Sequence, residues 1–289
     1  MNSFKLIIGE RFQDKSVNDL LKSFYLSQNK INSFNQEGLL YLNGNKCSLS
    51  DIVKYNDVFE VELKEKIDLR PQEYNLDVYF EDKYFLVVNK PRGMIVHDDG
   101  TGTITLNNLV AYYYQQHHIR RKIRACNRLD YATSGLVIYA KDPLSEAFMN
   151  YLIRERKIEK KYYALCHHRF SKKEGLISFP LGRDRHNSHK MIVNNKGKET
   201  LTEYKVLKDG KISLCEVKLL TGRTHQIRVH FAYINHTLIG DDLYGDEENP
   251  LYLQSYQLKF IHPFTNEDIL IKMDIESIFI EYMRAYYGK

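Results

Sequence analysis

One acid in this chain stands where chemistry could be done. Asp130 lies in the run Asn127-Arg128-Leu129-Asp130-Tyr131-Ala132-Thr133-Ser134-Gly135, a polar loop that leads straight into the apolar stretch Leu136-Val137-Ile138-Tyr139-Ala140. That stretch has strand composition. A carboxylate at a strand entrance can serve as nucleophile or base, or it can cap its own loop, because Asp, Ser and Thr readily bond nearby backbone. Two distant segments supply further reactive side chains: Lys160-Lys161-Tyr162, and Thr221-Gly222-Arg223-Thr224-His225-Gln226-Ile227-Arg228-Val229-His230. The second reads as a strand that turns at Thr221-Gly222 into a helix, which would place His225 and Arg228 on a shared face. Either could point at the acid. On their own, a tyrosine beside two lysines and a basic helix are ordinary surface features.

The charge around Asp130 narrows the substrate class. The net charge is +5, but residues 1–66 hold nine Lys/Arg and nine Asp/Glu, so the excess belongs to the rest of the chain. Between His118 and Lys161 eleven basic residues face five acids. Such a region suits a polyanion such as RNA, or is a solvated basic face. Other chemistries fit poorly. Ser134 lacks the first glycine of a Gly-x-Ser-x-Gly elbow. His167, His168, His186 and His189 have no spacing that gathers a metal ligand set. The four cysteines lie far apart without a CxxC pair, which points to reduced thiols. No apolar run is long enough for a membrane helix and Met1 to Phe12 has no signal-peptide pattern, so a cytoplasmic protein is expected.

The elements that would position these residues form two groups. Ser16 is a plausible N-cap for a helix with Val17, Leu20, Leu21 and Phe24 on one face, followed by a weaker helical stretch from Asn29 to Phe34. Leu39 to Leu42, the turn pair Asn43-Gly44 and the strand Val58 to Leu63 complete a small α/β module over residues 1–66. Charged residues closed by Pro71 read as a linker, placed at 67–75. A larger domain over 76–289 opens with two strands between Leu76 and Lys90, stopped by Pro91. Asp142-Pro143 then starts a helix with Leu144, Phe148 and Leu152 on one face, and strands are expected at 160–166, 203–207, 213–220 and 251–261. Mixed, mainly antiparallel strands with few helices give an α+β fold.

The order of residues around Asp130 resembles the signature of the RluA-type pseudouridine synthases: His-Arg-Leu-Asp, a short variable stretch, Thr-Ser-Gly, an apolar strand and Ala-Lys. Asn127 replaces the histidine, and Gln254-Ser255 replaces a usual His-Ala. Asn89-Lys90-Pro91, Gly93, Val96-His97, Thr202-Glu203-Tyr204, Ile239-Gly240-Asp241 and His262-Pro263 also match. Residues 1–66 are similar, more loosely, to the alpha-L RNA-binding module. The resemblance implies isomerisation of a uridine in structured RNA to pseudouridine, without cofactor or metal. Asp130 would be the catalytic acid, as nucleophile or base, Tyr162 would stack on the target base, and Arg228 would pair with the Asp130 carboxylate. Arg128 would fill the space vacated by a flipped nucleotide, and Lys160, Arg223, His225, Lys22 and Lys30 would bind RNA. Ribosomal RNA of the large subunit is the expected substrate, with transfer RNA, or a non-catalytic role in RNA binding or ribosome assembly, as alternatives. The protein is expected to act as a monomer without an obligate protein partner or membrane association. Because every candidate catalytic residue lies beyond the linker, removing residues 1–66 is expected to spare catalysis.

Overall fold

A computed structural model describes residues 2–245 and 250–287; Met1, residues 246–249 and 288–289, which fall within the two predicted domains, lie outside the described residues. The N-terminal elements are β1 (Ser3–Ile7), α1 (Val17–Ser23), α2 (Gln28–Gln36), β2 (Leu40–Leu42), β3 (Asn45–Lys46) and β4 (Val58–Glu62). Local chemistry explains most of them. Ser16 caps α1 by accepting the Asp19 N–H, and Ser27 does the same for α2 through Lys30. Asn43 and Gly44 take φ of 50° and 80°, the left-handed pair that a two-residue hairpin turn requires. The four strands form one antiparallel sheet in the order β1-β4-β2-β3. The first of them, β1, adds an edge to the helix-helix-hairpin-strand order read from the sequence.

The remaining elements are β5 (Val78–Glu81), β6 (Phe85–Lys90), α3 (Leu106–Gln116), β7 (Ser134–Ala140), α4 (Pro143–Arg154), β8 (Glu159–His167), β9 (Glu174–Ser178), β10 (Leu181–Arg183), β11 (Met191–Val193), β12 (Leu201–Lys208), β13 (Ile212–Leu219), α5 (Gln226–Tyr233), β14 (Leu253–Ile261), β15 (Asp268–Lys272) and α6 (Ser277–Tyr287). Nine strands make one mixed sheet in the order β5-β6-β7-β14-β8-β13-β12-β9, with β15 on the outer part of β14. The pairings are antiparallel except between β7 and β14. This is the α+β class read from the sequence, with a mainly antiparallel sheet. β10 and β11 stand apart as a separate antiparallel hairpin.

The central strands are covered on both faces, which is why β6 and β7 read as unbroken apolar runs. Phe85, Val87, Leu136, Ile138 and Ala140 point to the face covered by α4, while Leu86, Val88, Val137 and Tyr139 point to the face covered by α3 and α5. The N-terminal module packs into the first of these layers. Phe24 meets Phe4 and Phe12 of its own module and Phe148 and Phe264 of the other, with ring centroids 5.3–6.3 Å apart. The Tyr84 hydroxyl donates to the Lys5 carbonyl at 3.1 Å and Arg11 donates to Pro263 at 3.2 Å. The two parts therefore share a hydrophobic core, so residues 1–66 pack against the larger part as well as forming a module of their own.

Candidate active site

Asp130 is displayed by a loop that is clamped from behind. The Asp130 carbonyl accepts the Thr133 N–H at 3.1 Å, closing a turn just before β7. Asn127 brackets the loop onto that strand: its Oδ1 accepts the Ile138 N–H at 2.7 Å and its Nδ2 donates to Leu136 O at 3.4 Å. The side chain at this position thus fixes loop to strand. Gly135, with φ of 118°, follows at the contact with β14, where an added Cβ would lie 2.2 Å from the Ser255 carbonyl oxygen. On the other side the fully buried Lys90 Nζ lies 2.9, 2.7 and 3.2 Å from the carbonyl oxygens of Pro91, Met94 and Tyr131, within hydrogen-bond reach of each. Burial pushes the Lys90 pKa down to about 7, against the attraction of Asp130. The backbone on either side of the acid is held, and its carboxylate remains 23% exposed.

In front of Asp130 opens a pocket of ≈ 560 Å³. Its walls come from the 126–133 loop, β8 and the turn from β13 into α5, so the three segments singled out by their chemistry converge. Tyr162, on β8 between Val217 of β13 and Ser255 of β14, is 7% exposed and presents its ring to the pocket. Burial pushes its phenol up to about 12, so it stays neutral. The rim is cationic. Arg128, Arg156, Lys160 and Arg223 all line it, and their side chains have no ion-pair or hydrogen-bond partner among the described residues. Convergent cations without partners are a site for anionic groups such as phosphates.

His225 and Arg228 divide the field around Asp130 between them. His225 precedes α5 as its N-cap, in left-handed conformation with φ of 54°, so it is not a helical neighbour of Arg228 as the spacing had suggested. Its Nε2 lies 4.0 Å from Asp130 Oδ2. Burial lowers the imidazole pKa, opposed by Asp130, which favours the neutral ring. Arg228 does not make the expected ion pair with Asp130. Its Nε and Nη2 bind the fully buried Asp241 carboxylate at 2.9 and 2.5 Å, and Nη2 also reaches Asp242 at 2.9 Å. Burial works against the Arg228 charge, but Asp241 outweighs it and raises the pKa, with Asp130 adding a smaller attraction. A buried carboxylate with two-pronged geometry outcompetes a partly hydrated one.

Comparison with known proteins decides what this arrangement belongs to. The family described as RNA pseudouridylate synthase matches residues 84–233, which include Asp130, Tyr162 and Arg228. The chain is 35% identical over 246 residues to the uncharacterized RNA pseudouridine synthase YhcT of Bacillus subtilis, covering 82% of each. It is also 34% identical over 273 residues to the ribosomal large subunit pseudouridine synthase D of Borreliella burgdorferi, covering 84% of this chain and 82% of that protein. The chain belongs to the RluA-type RNA pseudouridine synthases. Among solved structures, the human RNA pseudouridylate synthase domain containing 1 superimposes with a TM-score of 0.60 at 26% identity, over 71% of this chain and 86% of that one.

As a member of this family the protein is an RNA pseudouridine synthase, an isomerase acting on RNA. Of the side chains expected at its site, Asp130, Tyr162, Arg228, Arg128, Lys160, Arg223 and His225 line one pocket. Lys22 and Lys30 do not: they are exposed on α1 and α2, where Lys30 lies over the Phe34 ring, 4.8 Å from its centroid. Arg156 was counted only as part of a basic region, and nothing in its local sequence separated it from its neighbours. Asp241 lay within a recognised motif without a role, because its task depends on a helix brought beside it from earlier in the chain.

Proposed function

We propose that this enzyme converts a uridine in large-subunit ribosomal RNA to pseudouridine with Asp130 as the reacting carboxylate. The observation that carries the reading is the pocket itself: one partly exposed acid, held by clamped backbone, faces a neutral buried tyrosine ring under a rim of four unpartnered cations. A volume of ≈ 560 Å³ suits a nucleotide drawn out of its stack. The cations take the flanking phosphates, Arg128 beside the acid takes the place of the flipped nucleotide, and the Tyr162 ring offers a flat surface to the base. Asp130 then starts detachment of the base from its ribose, either by attack or by removing a ribose proton. The base turns and rejoins through carbon, so no atom is gained or lost. The choice of ribosomal RNA draws on relatives named as large-subunit enzymes in Borreliella burgdorferi and Neisseria meningitidis.

Asp130→Asn keeps the side-chain shape and removes the charge, so turnover should disappear while RNA affinity stays within a few fold. Residual turnover within tenfold of wild type would remove Asp130 from the chemistry. Mapping pseudouridines by carbodiimide-dependent reverse-transcription stops after deletion of the gene identifies the target. Loss of a site in large-subunit ribosomal RNA is expected, and loss confined to transfer RNA would overturn the substrate assignment.

A further inference from the structure

A chain of hydrogen bonds reaches from the β10–β11 hairpin to the edge of the Asp130 carboxylate. The Met191 N–H donates to the Tyr244 hydroxyl oxygen at 2.8 Å, and that oxygen lies 2.9 Å from His225 Nδ1. The rings of His225 and Tyr244 meet edge to face, with centroids 5.7 Å apart, and the Arg228 guanidinium sits 5.3 Å from the centre of the Tyr244 ring. The left-handed backbone of His225 presents its other nitrogen, Nε2, to Asp130 Oδ2 at 4.0 Å.

The direction of the Tyr244–His225 bond depends on the histidine tautomer, and the neighbours of each ring nitrogen favour one. The Tyr244 oxygen accepts from the Met191 amide, and His225 Nδ1, 2.9 Å away, is an acceptor within reach of the hydroxyl's own proton. Burial holds Tyr244 up to about 12, which keeps that proton in place. A neutral imidazole that accepts at Nδ1 carries its proton on Nε2, the atom facing the acid. With the opposite tautomer a lone pair would face the carboxylate and repel it.

We propose that His225 is a positioning residue for the isomerisation: held in the Nε2–H form by Tyr244, it donates to one oxygen of Asp130 when substrate draws the two together, leaving the other oxygen aimed at the uridine. This assigns His225 a part distinct from binding RNA, and brings Tyr244, which does not line the main pocket, into the working of the site. It rests on the reading of Asp130 given above.

The first test needs no RNA. Nitrogen-15 correlation spectra of the histidine rings at neutral pH should show His225 protonated at Nε2 and bare at Nδ1, and Tyr244→Phe should move it toward a mixture of tautomers. A wild-type ring protonated at Nδ1, or a tautomer unchanged in Tyr244→Phe, overturns the proposal even if Asp130→Asn is inactive as required. Conversely, an active Asp130→Asn would undo the underlying reading while leaving the tautomer intact. The second test is kinetic. Loss of one hydrogen bond to a charged group should lower the single-turnover rate of Tyr244→Phe about tenfold, with RNA affinity within about twofold. His225→Gln, which can offer an amide N–H in place of Nε2–H, should retain more activity than His225→Ala. A Tyr244→Phe rate equal to wild type, or equal losses in the Gln and Ala variants, refutes it.

Discussion

Arg124 and Arg128 are four residues apart and serve opposite ends. Arg124 lies at the junction between the two modules, where it bonds Glu65 through both terminal nitrogens and Glu146 through Nε. Nearby, Arg121 donates to the Ser3 carbonyl at 2.7 Å and Asn2 donates to the Arg120 carbonyl at 2.6 Å. Arg128, together with Arg156, Lys160 and Arg223, lines the pocket without a partner among the described residues. At the junction, the Arg124 guanidinium and the aromatic surface are satisfied within the fold and hold the two modules together. At the pocket, positive charge is left over for a ligand. The contrast separates residues whose loss should cost stability from those whose loss should cost binding.

The largest effect expected from breaking this division is at the junction. Deleting residues 1–66 would uncover Tyr84, Phe148 and Phe264, so the remaining chain should lose cooperative thermal unfolding or aggregate. A truncated protein that melts cooperatively with the wild-type near-ultraviolet dichroism would show the modules to be independent.

Next comes Arg228→Ala, which leaves the buried Asp241 without its cation and should cost on the order of 3–5 kcal/mol in urea denaturation. It also sharpens the question of which acid Arg228 serves. If stability is unchanged but activity falls at neutral pH and recovers in alkali, Arg228 maintains Asp130 after all.

A moderate effect should come from Lys90, whose folded-state pKa of about 7 lies below its ordinary value of 10.5. Between those values the unfolded chain holds a proton that the folded chain has released. Stability contributed by this group is therefore present above the unfolded value and lost as pH falls toward 7. Urea titrations from pH 7 to 10 should show wild type gaining stability with pH relative to Lys90→Met. Parallel curves would mean that the three carbonyls keep Lys90 fully charged.

The smallest change in stability is expected at the rim. Arg128→Ala, Lys160→Ala and Arg223→Ala should each leave the midpoint of unfolding within about 0.5 kcal/mol of wild type. Each should weaken RNA binding and reduce the slope of log affinity against log salt by roughly one. An unaltered slope for all three would show that the rim does not touch phosphate.

Features that depend on a few neighbouring residues were legible in the chain. The Ser16 cap, the Asn43-Gly44 turn, the Asp142-Pro143 helix start and the unbroken apolar run of β7 each follow from chemistry within a turn or a strand. The grouping of Asp130, Tyr162 and Arg228 was legible through motif order. β1 and the β10–β11 hairpin gave no such signal and are defined by the surfaces they meet, whereas α3, with Leu106, Leu109, Val110 and Tyr114 on one buried face behind a Thr105 cap, and α6 carry helical spacing that was legible but unassigned in the sequence. The insertion of β14 between β7 and β8 in the middle of the sheet pairs Gln254 with Ser134, from a far earlier part of the chain, which no local pattern encodes. The same limit governs the site. Sequence determined that a carboxylate, an aromatic ring and several cations were available, because side-chain chemistry travels with residue type. Tertiary structure decided their partners: Arg228 turned to Asp241, His225 left the helix to face Asp130, and Phe24 closed the junction. Ion pairs and packing are settled by distance and burial, and those exist only once the chain has folded.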